Sequence, residues 1–174
     1  LTKTISTISY DFKAFNSKLK MNAFWKYYNQ KIEKVDPVVR TDANGNQYRD
    51  EMKEKSNFNT NGYGFASSYL IKDAIAVLLS AERAVRMPND NEIFGNPGDN
   101  LTGSTSLKPE ISDNLNLGLK LGPYKVNSHT FSASAAGFVR DTKDKLIRKP
   151  NDRVNDAVEV TPMVNLGKTQ SIGY

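Results

Sequence analysis

From residue 114 the chain reads NLNLGLKL, with Leu115, Leu117, Leu119 and Leu121 alternating with Asn116, Gly118 and Lys120. Successive side chains on a strand point to opposite faces, so this period of two makes one apolar and one polar face. The same rhythm recurs along the chain. Residues 4–13 set Ile8, Tyr10 and Phe12 against Ser9 and Asp11. Residues 18–30 set Leu19, Met21, Ala23, Trp25 and Tyr27 against Lys18, Lys20, Asn22 and Lys26. Residues 58–71 offer Tyr63, Phe65, Tyr69 and Ile71 opposite Gly62, Gly64, Ala66 and Ser68. Residues 74–87 carry Ile75, Val77, Leu79 and Ala81 opposite Ser80, Glu82, Ala84 and Arg86. Residues 129–141 carry Phe131, Ala133, Ala135 and Val139, and a last stretch from Ala157 carries Val158, Val160, Val164 and Leu166. Seven strands are therefore predicted, the leucine stretch being the fifth. Helix competes for Ile71–Arg86, which is rich in Ala, Leu, Glu and Arg, but the alternation of Ile75, Val77 and Leu79 favours strand there.

The connections carry a second pattern. Short links at residues 14–17, 72–73 and 122–128 alternate with long ones at 31–57, 88–110 and 142–156. Short turns at one end and long loops at the other define an up-and-down antiparallel meander of the kind found in outer-membrane barrels. A soluble sandwich has no reason to sort its loops in this way. Trp25, Tyr27 and Tyr28 cluster at the long-loop end of the second strand, where an aromatic girdle would meet the membrane surface. Ordinary core packing is the competing reading of those three rings.

Composition adds exclusions. The 174 residues suffice for one domain, and hydrophobic content is 38%. No run approaches the ~20 apolar residues of a membrane helix, a test that alternating barrel strands escape. There is no cysteine and a single histidine, His129, beside a predicted turn, so no disulfide framework, zinc site or other metal site is expected. The net charge of +5 comes from residues scattered between Lys3 and Lys168 without a basic block, and no nucleic-acid motif accompanies it. Asp42, Asn44 and Asn46 resemble half a calcium loop, but the glycine stands at the wrong position and the closing glutamate is missing. Asn44-Gly45 reads better as a type I′ hairpin turn. No nucleophile–base arrangement is visible, so neither an enzyme nor a cofactor is expected.

The stretch AERAVRMPNDNEIFGNPGDNLTGSTSLKPEISDNLNLGLKL, residues 81–121, resembles the barrel of TonB-dependent outer-membrane receptors. The likeness is carried by Arg86 and Pro88, then Glu92, Ile93 and Phe94, then Gly95 and Asn96, then Leu107, Lys108, Pro109 and Glu110, and Gly118. FVRDTKDKLI at 138–147 and VNLGKTQSIGY at 164–174 resemble the strands that follow, while residues 1–80 are compatible but less distinctive. The resemblance is to the later part of such a barrel, of a Bacteroidetes-like type.

That resemblance implies an all-β chain forming part of a 22-stranded transmembrane barrel. It implies that residues 1–174 are a partial barrel domain, with plug domain and closing strands absent. The implied function is active uptake of a nutrient of the siderophore, vitamin or glycan class, energised through TonB by way of the missing plug. The implied location is the cell outer membrane. Implied partners are outer-membrane lipid, TonB, a small-molecule or oligosaccharide ligand and a surface lipoprotein, with no nucleic acid. A passive outer-membrane channel and a soluble β-rich binding module are the alternatives. Candidates for contact with substrate at the mouth are Arg86, Asn91, Glu92, Phe94 and Asn96. The competing reading makes the motif structural: Arg86 pairs with Glu110, and Pro88 and Pro109 fix the loop ends.

Overall fold

In a computed structural model, which describes residues 1–149 and 161–174, the chain forms one curled sheet resembling half a barrel. Seven long strands run antiparallel in chain order: β1 (Thr2–Ala14), β2 (Leu19–Thr41), β3 (Gln47–Lys72), β4 (Ile75–Arg86), β6 (Glu110–Val126), β7 (His129–Arg148) and β8 (Thr161–Gly173). The connection between β4 and β6 holds a short helix α1 (Asp90–Phe94), a single 3-10 turn and a two-residue strand β5 (Leu101–Thr102) parallel to the start of β8. Strand wins over helix for residues 75–86, as the alternation predicts. Residues 157–160 of the last predicted strand lie outside the described residues.

Registers convert the sequence pattern into rows across the sheet. Tyr10, Ala23, Phe65, Ala81, Leu115, Val139 and Ile172 stand in one row, and Phe12, Met21, Ser67, Leu79, Leu117 and Gly137 in another two residues below. On the opposite face the intervening row reads Asp11, Asn22, Ala66, Ser80, Asn116 and Phe138. It is bridged by Asn22 to Asp11 at 2.9 Å and Asn116 to Ser80 at 3.0 Å. One face is therefore a continuous apolar band and the other a hydrogen-bonded polar wall. Tyr10, Leu117 and Ile172 are each more than half exposed on the apolar side (69%, 58% and 72%). No second sheet covers them among the described residues, which removes the sandwich form of the soluble alternative. Hydrocarbon is the solvent that suits such a face.

Two of the long connections differ from expectation. Residues 31–57 are strand almost throughout: β2 and β3 pair from Leu19–Tyr69 out to Thr41–Gln47. β3 pairs with β4 only as far as Tyr63, while the β2–β3 ladder runs on as a ribbon for ten pairs beyond Lys31, ~33 Å at ~3.3 Å per residue. Apolar alternation gives way there to charge pairs such as Glu33–Lys55 at 2.9 Å and Arg40–Asp50 at 2.7 Å. Likewise β7 continues through residues 142–148, which had read as loop.

The ribbon tip also differs. Gly45 has φ +88 while Asn44 stays at negative φ, and the Gly45 N–H donates to the Asp42 carbonyl at 3.1 Å. That is a type I turn closed by a left-handed glycine, not the type I′ turn, which needs two positive φ values. The Asp42 carboxylate accepts from the N–H groups of Asn46 at 2.8 Å and Asn44 at 2.9 Å. These bonds, that of Asn46 foremost, hold its carboxyl below the usual carboxylate range. A carboxyl depressed on folding stabilises above its unfolded pKa and loses that contribution as pH falls through the folded value. Amide protection at Asn44 and Asn46 is thus expected to stay flat from neutral pH to about 3.9 and to fall only below it, as hydrogen exchange followed across pH would show.

Candidate functional site

The Arg86–Glu110 segment is packed into the molecule. Asn89 caps α1 by accepting from the Glu92 N–H at 2.9 Å, and Glu92 Oε2 accepts from the Asn89 N–H at 2.8 Å. This reciprocal box satisfies donors that a helix start leaves open. The other Glu92 oxygen accepts from Arg86 Nη2 at 2.5 Å. Arg86 and Glu110 are neighbours in register, yet Glu110 turns away to accept from the Leu146 N–H at 3.1 Å. The expected Arg86–Glu110 pair is therefore replaced by Arg86–Glu92, because the helix brings a carboxylate closer to the guanidinium.

Every anchor of this loop lies on the polar face of the sheet. Gln30, fully buried, donates to the Pro88 carbonyl at 3.1 Å. Lys3 meets Asp90 at 3.5 Å, and Thr105 donates to Glu54 at 2.7 Å. Asn165 on β8 accepts from the Lys108 N–H and donates to its carbonyl, both at 2.9 Å. Leu101 and Leu107 pack with Leu146 and Met163 in the small apolar core. A Cβ on Gly103 would collide with the backbone of Gly95, Ile93 and Phe94, so glycine alone lets the loop fold so closely on itself. The segment thus straps across the inner wall from β2 to β8.

The expected mouth residues separate accordingly. Glu92 is buried and Arg86 is bound to it. Asn96 holds the loop through Asp99 at 2.6 Å, the Gly98 N–H at 3.1 Å and backbone bonds to Leu101. Pro88 and Pro109 are both buried. Asn91 and Phe94 are exposed. Of the three girdle aromatics, Trp25 and Tyr27 share the apolar face and stack at 6.3 Å between centroids. Tyr28 sits on the other face, 9% exposed, which takes it out of the girdle. Tyr63, opposite Trp25 and 5.5 Å from Arg83, holds a place in that row that sequence reading did not assign. Among the described residues no group of three or more His, Cys, Asp or Glu gathers to hold a metal ion.

An apolar outer band, a polar inner wall and a strap across the inner face define one wall of a large transmembrane β-barrel. The family described as TonB dependent receptor-like, beta-barrel matches residues 25–174, and the chain belongs to it. The family is one of receptors, not enzymes. It implies the outer membrane. Among solved structures, the fold resembles the hemophore receptor HasR of Serratia marcescens, in a double mutant complexed with its hemophore HasA and heme, with TM-score 0.71 and 13% identity. The match covers 98% of this chain and 31% of that one, so the chain spans about a third of that receptor. No curated protein sequence matches the chain.

Proposed function

We propose that this chain supplies wall and mouth to a TonB-dependent transporter that takes up a siderophore, vitamin or glycan, the remaining strands and a plug completing the barrel. The observation that carries the reading is the strap, clamped on the polar face and leaving Asn91 and Phe94 exposed. Phe94 offers a stacking surface and Asn91 a hydrogen-bonding amide, while Arg86, Glu92 and Asn96 hold these two in place. The β2–β3 ribbon, which extends past the end of β4, gives a protein partner, such as a surface lipoprotein, a surface to meet.

In the full-length receptor, Phe94→Ala is expected to weaken ligand binding about tenfold, which corresponds to ~1.4 kcal/mol, with the barrel still folded. Asn91→Ala should have a smaller effect in the same direction. Unchanged affinity in both would remove them from the mouth. Uptake that persists after the proton gradient is collapsed would indicate a passive channel instead.

A further inference from the structure

The apolar band ends toward the mouth at one row: Ile8, Trp25, Tyr63, Arg83, Asp113, Asp141 and Gln170. Its polar members satisfy one another. Arg83 donates to both Asp113 oxygens at 2.7 and 2.8 Å, and Gln170 donates to Asp141 at 2.9 Å. The next row on the same face is different. Lys143 on β7 stands directly opposite Lys168 on β8, both exposed, and Lys145 follows two residues along. Neither Lys143 nor Lys168 takes part in a salt bridge among the described residues. Like charges directly opposite destabilise a strand pair. One row below lie Asp113, bound by the Arg83 guanidinium, and Asp141, bound by the neutral amide of Gln170. Below it, the small side chains of Ala23 and Ala81 leave a hollow bounded by Phe65, Leu115 and Val139 and lined also by Arg83, Asp113 and Asp141. Val139 is four residues below Lys143 on the same strand, ~13 Å away.

We infer that Lys143 and Lys168, with Lys145 beside them, hold the phosphate of a membrane-lipid headgroup whose acyl chain runs down into the hollow over Ala23 and Ala81. The inference rests on the reading of this face as lipid-facing. Two ammonium groups one strand apart converge on a single phosphate, and its negative charge offsets their repulsion. Their place just beyond the apolar band is the depth of a headgroup, where each nearby basic residue adds about 1 kcal/mol of attraction to an anionic surface. In the row below, the Arg83 guanidinium compensates the charge of Asp113.

The test uses the full-length receptor inserted into vesicles of equal parts phosphatidylglycerol and phosphatidylcholine, extracted in mild detergent and weighed with bound lipid by native mass spectrometry. Phosphatidylglycerol is expected to be retained several-fold over phosphatidylcholine. The K143Q/K168Q pair should bring the ratio to parity, Ala81→Leu should lower retention of both lipids, and Lys20→Gln on the opposite face should change nothing. Should the double variant fail to fold, K143Q and K168Q alone read the same ratio. A preference untouched by these lysine variants overturns the site. Full displacement of the lipid by an equal concentration of inorganic phosphate overturns the lipid as occupant. A receptor that does not insert at all overturns the membrane reading and this site with it, whereas insertion without lipid preference overturns the site alone.

Discussion

Arginine in place of Leu117 is expected to destabilise the folded, membrane-inserted receptor by about 2–4 kcal/mol, the cost of a cationic side chain near the bilayer midplane. Leu117 lies in the middle of the apolar band, with the Tyr10–Ile172 row on one side and Leu19, Tyr69, Val77 and Leu119 on the other. Neither water nor a carboxylate is within reach of a guanidinium there. The same change at Asn116, its neighbour in sequence, points to the polar wall. It should cost about 1 kcal/mol, the loss of the bond to Ser80. Urea titration of both variants in vesicles measures the difference. Equal costs would mean that the two faces are wrongly assigned.

Glu92→Ala should release the strap. Its carboxylate is nearly buried and engages Arg86 with one oxygen and the Asn89 N–H with the other. Hydrogen bonds to charged groups contribute about 1.5–3 kcal/mol each, and a lost cap costs about 0.5–2. Because Arg86 can turn partly to water, about 2–4 kcal/mol of local opening free energy is expected in total. Amide exchange across residues 89–95 should accelerate about thirtyfold to nine-hundredfold, and protease should cut the loop. Glu92→Gln keeps an acceptor for the Asn89 N–H and should show a distinctly smaller effect. Exchange unchanged in the alanine variant would mean that other contacts hold the loop.

What the sequence made legible was the wall. Leu115 to Leu121 and Ile75 to Ala81 alternate because lipid and a polar interior lie on opposite sides of each strand. Where that contrast ends, legibility ends with it. Glu33, Lys34, Lys53 and Lys55 sit on a strand pair whose outer face is charged, so no apolar period of two marks them and the ribbon reads as loop. The strap was half visible. Asn89 and Glu92 have the spacing of a capping box, a local signal that could have placed α1. Its inward fold was not readable, since Gln30 finds Pro88 58 residues away and Asn165 finds Lys108 57 residues away. The pairing of Arg86 with Glu110 across the two ends of the loop overlooks the helix that intervenes.

The parallel contact of β5 with β8 also orders the assembly of this wall in time. The β1–β2, β3–β4 and β6–β7 hairpins close short loops and can form early. Asn100 and Thr161, 61 residues apart, meet only after β6, β7 and β8 have been laid down. The far end of the strap therefore locks last, as a latch closed by the strand that follows it. A chain truncated before β8 would keep every residue of the strap and still present it unlatched, with Leu101 and Leu107 deprived of Met163 and exposed to proteases and to other chains.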